Sequence, residues 1–208
     1  MDGKNQHLET LTEIRSLMEK SSKFISLSGI SGVFAGVFAI IGASIAYNYI
    51  QNLHHQDYGY LMNGKINDEF YMFFFLNALF VMVSSLSVGF YLTVKKAKKN
   101  NQTIWDATSK RLAINLCIPL FTGGVFCFIL LYHGLIGLIA PTTLLFYGLA
   151  LINGSKYTIN DIRYLGICEI ILGLISAIYI GYGLFFWVIG FGILHIVYGI
   201  IMYSKYDK

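Results

Sequence analysis

Six long apolar runs constrain this chain more than any other feature. They cover about residues 24–50, 70–94, 112–131, 135–152, 162–180 and 182–203. A helix needs roughly 20 mostly apolar residues to cross the hydrocarbon core of a bilayer. In hydrocarbon every backbone N–H and C=O must find its partner within the protein, so such runs are expected to be helices. The expected fold class is all-α: a polytopic integral membrane protein with six transmembrane helices and both ends in the cytosol. Residues 1–23 read as a short N-terminal amphipathic cytosolic helix, 24–203 as a single six-helix transmembrane domain, and 204–208 as a cytosolic tail.

The last four runs are separated only by short breaks. Tyr132, His133 and Gly134 divide the third from the fourth, and Gly181, Tyr182 and Gly183 divide the fifth from the sixth. An unbroken helix of about 40 residues would be about 60 Å long, twice the hydrocarbon thickness. Two tight hairpins are therefore expected.

Charge placement tests that count independently. Only 12% of residues are charged, about half the share usual in soluble domains. With the N-terminus inside, 14 of the 15 Lys and Arg residues fall in cytosolic segments, and only Lys65 lies outside. This is the positive-inside pattern. Lys95, Lys96, Lys98 and Lys99 form the densest basic cluster, immediately beside the membrane. They serve as a topology anchor and as headgroup-binding candidates, each attracting anionic lipid by roughly 1 kcal/mol. Membrane lipids are thus expected partners. Nucleic acid is not, because a lysine cluster against a bilayer leaves little room for a duplex. Ile104, Trp105 and Leu112 suggest a short interfacial helix.

Asp2, Glu9, Glu13 and Glu19 precede any apolar run, unlike a secretory signal. Direct insertion into a plasma membrane is expected, and the Lys, Asn, Ile and Tyr content suits a bacterial inner membrane. In residues 6–23, Leu8, Leu11, Ile14, Leu17 and Met18 recur at helical spacing. That helix would cap the bundle or meet a cytosolic protein partner.

Glu169 lies about eight residues inside the fifth run, roughly 12 Å deep. An ionised carboxylate there costs several kcal/mol, so a proton or a polar partner should accompany it. His195 lies at a similar depth in the antiparallel sixth run, which makes contact geometrically open. Glu169 shares a helical face with Gly173, Ala177 and Gly181, and His195 with Gly192 and Gly199. Small residues of this kind mark close helix packing, so both polar groups should face protein. Such a pair can hold a proton, or simply fix two helices by a buried hydrogen bond.

Asn77 and Asn115 are milder intramembrane groups, and Asn115 sits at a depth where it can share a pocket with Glu169. Pro119 and Pro141 are expected to kink the third and fourth helices, and paired kinks can form a cavity or gate. Gly32 and Gly36 mark a close-packed face of the first helix, or a dimer contact. Cys117, Cys127 and Cys168 read as small buried hydrophobes. His54, His55 and Asp57 are the one external cluster of metal-donor types, and no metal site is expected from it.

No phosphate-binding glycine loop, HExxH motif, serine elbow or dinucleotide fingerprint occurs. An enzyme is the less supported class, and no particular cofactor is indicated. Two readings follow. The first is a small transporter or channel for protons or a small solute, with Glu169, His195, Asn115 and Asn77 as transport or ligand residues. The alternative is a non-catalytic scaffold, sensor or assembly partner in which Glu169 is a structural hydrogen-bonding residue. Six helices in 208 residues leave little interior, which a homo-oligomer would enlarge.

Overall fold

A computed structural model describes residues 28–56, 68–99 and 105–206. Its helices are α1 (Gly29–Gln56), α2 (Asp68–Lys99), α3 (Ala107–Tyr132), α4 (Ile139–Gly154), α5 (Ile162–Ile178), α6 (Gly183–Trp187) and α7 (His195–Tyr206). A π-helical stretch, Val188–Leu194, joins α6 to α7 without a break. Short 3-10 turns, Ile136–Leu138 and Ser155–Tyr157, flank α4. Among the described residues, five segments are long and apolar enough to cross a membrane: Gly29–Asn52, Asp68–Lys99, Ala107–Tyr132, Ile136–Tyr157 and Gly183–Tyr206. Helix α5 is shorter, at 17 residues, or about 25 Å, the lower edge of the spanning range. The protein is an all-helical, multi-pass integral membrane protein.

Both expected hairpins form. Gly134 has φ 71° and Gly181 has φ 105°, values that side chains resist and glycine accepts. Neighbouring helices therefore run antiparallel. Helix α1 packs on α2 and on residues 188–206, while α4 packs on α3 and α5. The stacked rings of Tyr49 and Phe73, 3.8 Å apart, join the C-terminal half of α1 to the start of α2. Lys205 Nζ lies 2.6 Å from Asp161 Oδ2, joining the end of α7 to the entrance of α5. These contacts gather Lys95 to Lys99, Lys110, Arg111, Lys156, Arg163 and Lys205 at one end of the bundle.

Glycines set the helix separations. A Cβ on Gly148 would lie 2.6 Å from the Gly166 carbonyl oxygen, and one on Gly166 would lie 2.7 Å from that of Gly148. The backbones of α4 and α5 thus touch, as small residues allow in membranes. A Cβ on Gly36 would lie 2.5 Å from the Gly192 oxygen. The Gly32–Gly36 face of α1 is therefore packed within the chain, against residues 192–199.

Three further expectations change. No separate interfacial helix ends at Leu112, because Leu112 belongs to α3. Asp106 caps α3: its Oδ1 accepts the Ser109 N–H at 2.6 Å, and Ser109 Oγ accepts the Asp106 N–H at 2.9 Å. That backbone hydrogen bond from Ser109 holds the Asp106 carboxyl below its ordinary pKa. Pro141 falls in the first turn of α4, where the amide it lacks would have no intrahelical acceptor. It starts the helix and does not kink its middle. Cys117 and Cys168 are exposed and Cys127 half-buried, so the thiols lie on or near the outer surface and not in the core.

That outer surface is apolar. Phe75, Phe80, Leu86 and Phe90 of α2 are all exposed, as lipid-facing residues are. The expected N-terminal helix lies outside the described residues, as does Asp57. His54 and His55 fall in the last turns of α1, with side chains outside the description.

Candidate functional site

Along α5 the buried residues are Leu165, Gly166, Glu169, Gly173 and Ser176. Their three- and four-residue spacing puts them on one face. Glu169 is 0% exposed. Opposite it stands Gly190, where a Cβ would fall 2.5 Å from Glu169 Oε2. A side chain there would have to displace the carboxyl group or the end of Leu144, whose Cδ2 lies 2.5 Å from the same point.

Gly190 belongs to the π-helical stretch, and His195 ends it. A π-turn closes over five residues instead of four. Here the His195 side chain uses that spacing: its Nδ1 lies 2.9 Å from the Gly190 carbonyl oxygen. The carbonyl can only accept, so Nδ1 carries hydrogen. The same nitrogen is 3.5 Å from Glu169 Oε1. Neither carboxyl oxygen of Glu169 makes a hydrogen bond, so the contact is an ion-pair distance without hydrogen-bond geometry.

The other ring nitrogen faces α4. Tyr147 Oη lies 2.7 Å from His195 Nε2. In the neutral imidazole Nε2 accepts the Tyr147 hydroxyl hydrogen. On protonation Nε2 becomes a donor and the tyrosine oxygen accepts. Both states keep one hydrogen bond at each nitrogen. Phe191 stacks against the imidazole with centroids 5.8 Å apart and packs on Tyr147 at 5.0 Å.

Tyr147 and His195 also line a cavity of about 150 Å³, together with Tyr198, Leu151, Leu165 and Met202. It lies toward the basic end of the bundle, near the start of α1 and α5. Glu169 is not in its wall and is reached through His195. In the opposite direction Gly173 packs on Leu145 and the Pro141 backbone. Ser176, 0% exposed, lies beyond it with no hydrogen-bond partner.

The structure thus joins Glu169 to His195 and separates the two asparagines from them. Asn77 Nδ2 donates to the Gly42 carbonyl at 3.0 Å, tying α2 to α1. Asn115 belongs to a polar contact between α3 and α4, and it is absent from the cavity wall. Pro119 has no N–H, so the Asn115 carbonyl four residues earlier loses its helical donor. Asn153 Nδ2 supplies one from α4 at 3.0 Å, and it also reaches Asn115 Oδ1 at 3.1 Å. Helix α3 continues through Pro119 with that cross-helix replacement. The four lysines complete the end of α2, in or beside its last turn.

Sequence reasoning missed Tyr147, Gly190, Asn153, Ser176 and Tyr198. Tyr147 had a usable signal. It lies seven residues before the end of α4, as Glu169 lies seven residues after the start of α5. Among the described residues, no group of three or more His, Cys, Asp or Glu side chains converges. Comparison with protein-family models, with curated proteins and with solved structures finds no match for this chain.

Proposed function

We propose that the protein carries protons, or a small solute moved with them, through the Glu169–His195–Tyr147 constellation. The carrying observation is the Glu169 carboxyl: wholly buried, without a hydrogen bond, and 3.5 Å from His195 Nδ1. An isolated carboxylate in such surroundings is costly. It is relieved either by a proton of its own or by a proton on the imidazole. Proton uptake at Nε2, on the cavity side, places positive charge beside Glu169 while Nδ1 stays bonded to Gly190. The site can therefore change charge without breaking its hydrogen-bond frame. Gathering of the described basic residues at one end supports a cytosolic location for that end, and six spans with α5 as the fifth. A bacterial inner membrane is the proposed location, with membrane lipids as the surroundings.

The test is proton flux into liposomes containing the purified protein and an entrapped pH-sensitive dye, driven by a potassium diffusion potential. The wild type should exceed empty liposomes, and Glu169→Gln should fall to their level while remaining folded. Equal flux in the wild type and Glu169→Gln would sink the proposal.

Tight packing around Gly173 and Gly190 favours a second reading, a scaffold or assembly partner in which the pair only fixes helices. On that reading Glu169→Gln is tolerated, and deleting residues 6–23 releases a cytosolic partner.

A further inference from the structure

Resting on the proton reading for proton uptake at His195 Nε2, we propose that the cavity between α1, α4, α5 and α7 binds a small monocarboxylic acid, held as a carboxylate with its proton passed to His195. Neutral His195 takes the Tyr147 hydroxyl hydrogen at Nε2, because Nδ1 already carries its own. Once Nε2 is protonated it donates to the Tyr147 oxygen, and the tyrosine hydrogen needs another acceptor. Both residues line the cavity. A proton on His195 therefore gives the cavity wall a new donor with a positive charge behind it. A carboxylate oxygen matches that pair, since hydrogen bonds to ionised groups are the strong ones.

The rest of the cavity suits such a ligand. It is half open and holds about 150 Å³, room for about six non-hydrogen atoms by comparison with benzene. Butyric acid has that many. No acidic side chain stands among the described residues of the wall. Ser28 and Ser31 bring the first turn of α1 to the cavity, and with it the positive end of that helix's dipole. The described cations collect at the same end of the bundle, where their field draws anions toward the opening. Leu151, Leu165 and Met202 supply an apolar wall for the alkyl chain. The incoming acid gives its O–H proton to the Tyr147 oxygen while Tyr147 gives its own to His195 Nε2. The products are a carboxylate, a neutral tyrosine and an imidazolium. With Glu169 carrying its own proton, the site stays neutral overall.

The experiment is titration calorimetry of the full-length protein in detergent micelles at neutral pH, in two buffers of different ionisation enthalpy. The probes are butyrate and butyramide, an uncharged ligand of the same shape. Free butyrate is ionised at that pH, so binding should draw about one proton per ligand from the buffer, and the heat should differ between the buffers accordingly. Butyramide should bind at least about tenfold more weakly and draw no proton. Tyr147→Phe removes the donor and should weaken butyrate about ten- to hundredfold, the value of a hydrogen bond to a charged group. His195→Gln should abolish the proton uptake. No butyrate binding, equal binding of the two ligands, butyrate binding without proton uptake, or unchanged affinity in Tyr147→Phe would overturn the proposal. Binding is read without flux. Butyrate binding with proton uptake but no proton flux counts against the proton reading alone, and wild-type flux without butyrate binding counts against the carboxylic acid alone.

Discussion

A single imidazole divides its work between two nitrogens. Nδ1 is committed to the Gly190 carbonyl and faces Glu169, while Nε2 is free to exchange roles with Tyr147. Depth counting from the sequence brings Glu169 and His195 together because an intramembrane carboxylate has few affordable environments. It does not reveal Tyr147, since a tyrosine reads equally as an interface anchor, and the chain has 15 of them. The cysteines show the same blindness, because lipid and protein core select alike for a small apolar side chain. Outside the membrane, Asp161 accepts hydrogen bonds from Lys205 Nζ at 2.6 Å and Tyr206 Oη at 3.0 Å. The Lys205 bond is the main reason its carboxyl is held below the ordinary value of 3.8. A depressed folded-state value means stabilisation that is present above pH 3.8 and lost as pH falls through the lower, folded value. Asp161→Asn should therefore lower the melting temperature slightly at neutral pH, as exposed pairs contribute little. The gap to wild type should close only below about pH 4, as thermal unfolding in detergent at several pH values would show.

Helices α3 and α4 are joined by a repair. Pro119 opens the Asn115 carbonyl and Asn153 closes it from across the interface. Asn153→Leu keeps the side-chain size but leaves that carbonyl unpaired, so it should cost about 1–2 kcal/mol. Restoring the amide with Pro119→Ala should reduce that penalty, giving a clear coupling in a double-mutant cycle of denaturant unfolding in micelles. Additive losses would show that the two residues act separately. The existence of the helices and the two hairpin breaks were legible, because twenty apolar residues and a glycine turn leave few alternatives. The role of Pro141 was not, since it depended on a helix start displaced from 135 to Ile139 by a 3-10 turn. Nor was the π-helical stretch, whose extra residue per turn changes no apolar pattern.

At the scale of the molecule, one end collects the described cations and the cavity opens toward the same end. That arrangement predicts the sidedness of labelling. In a background with Cys117, Cys127 and Cys168 replaced by alanine, Lys65→Cys should react with a membrane-impermeant maleimide in intact cells. Lys156→Cys should react only after the membrane is permeabilised. Reaction of Lys156→Cys in intact cells would invert the proposed orientation. The gathering of the described basic residues at one end was readable from the sequence because each of them lies in a connection or near a helix end. Which apolar surfaces meet lipid was not, and α2 shows why: it is as apolar as the inner helices, yet its large side chains mostly face outward.

The seven residues from Val188 to Leu194 also fix how the gene can change length. A π-turn holds one residue more than an α-turn, so losing one codon there would return the segment to ordinary α-helical winding and leave everything beyond it nearly in phase. Such a protein would keep its helical content and the face that His195 turns to Glu169, but the five-residue reach of the imidazole back to the Gly190 carbonyl would shorten to four. In this stretch a one-residue deletion is absorbed, whereas inside a regular α-helix it would turn everything beyond it by about 100°.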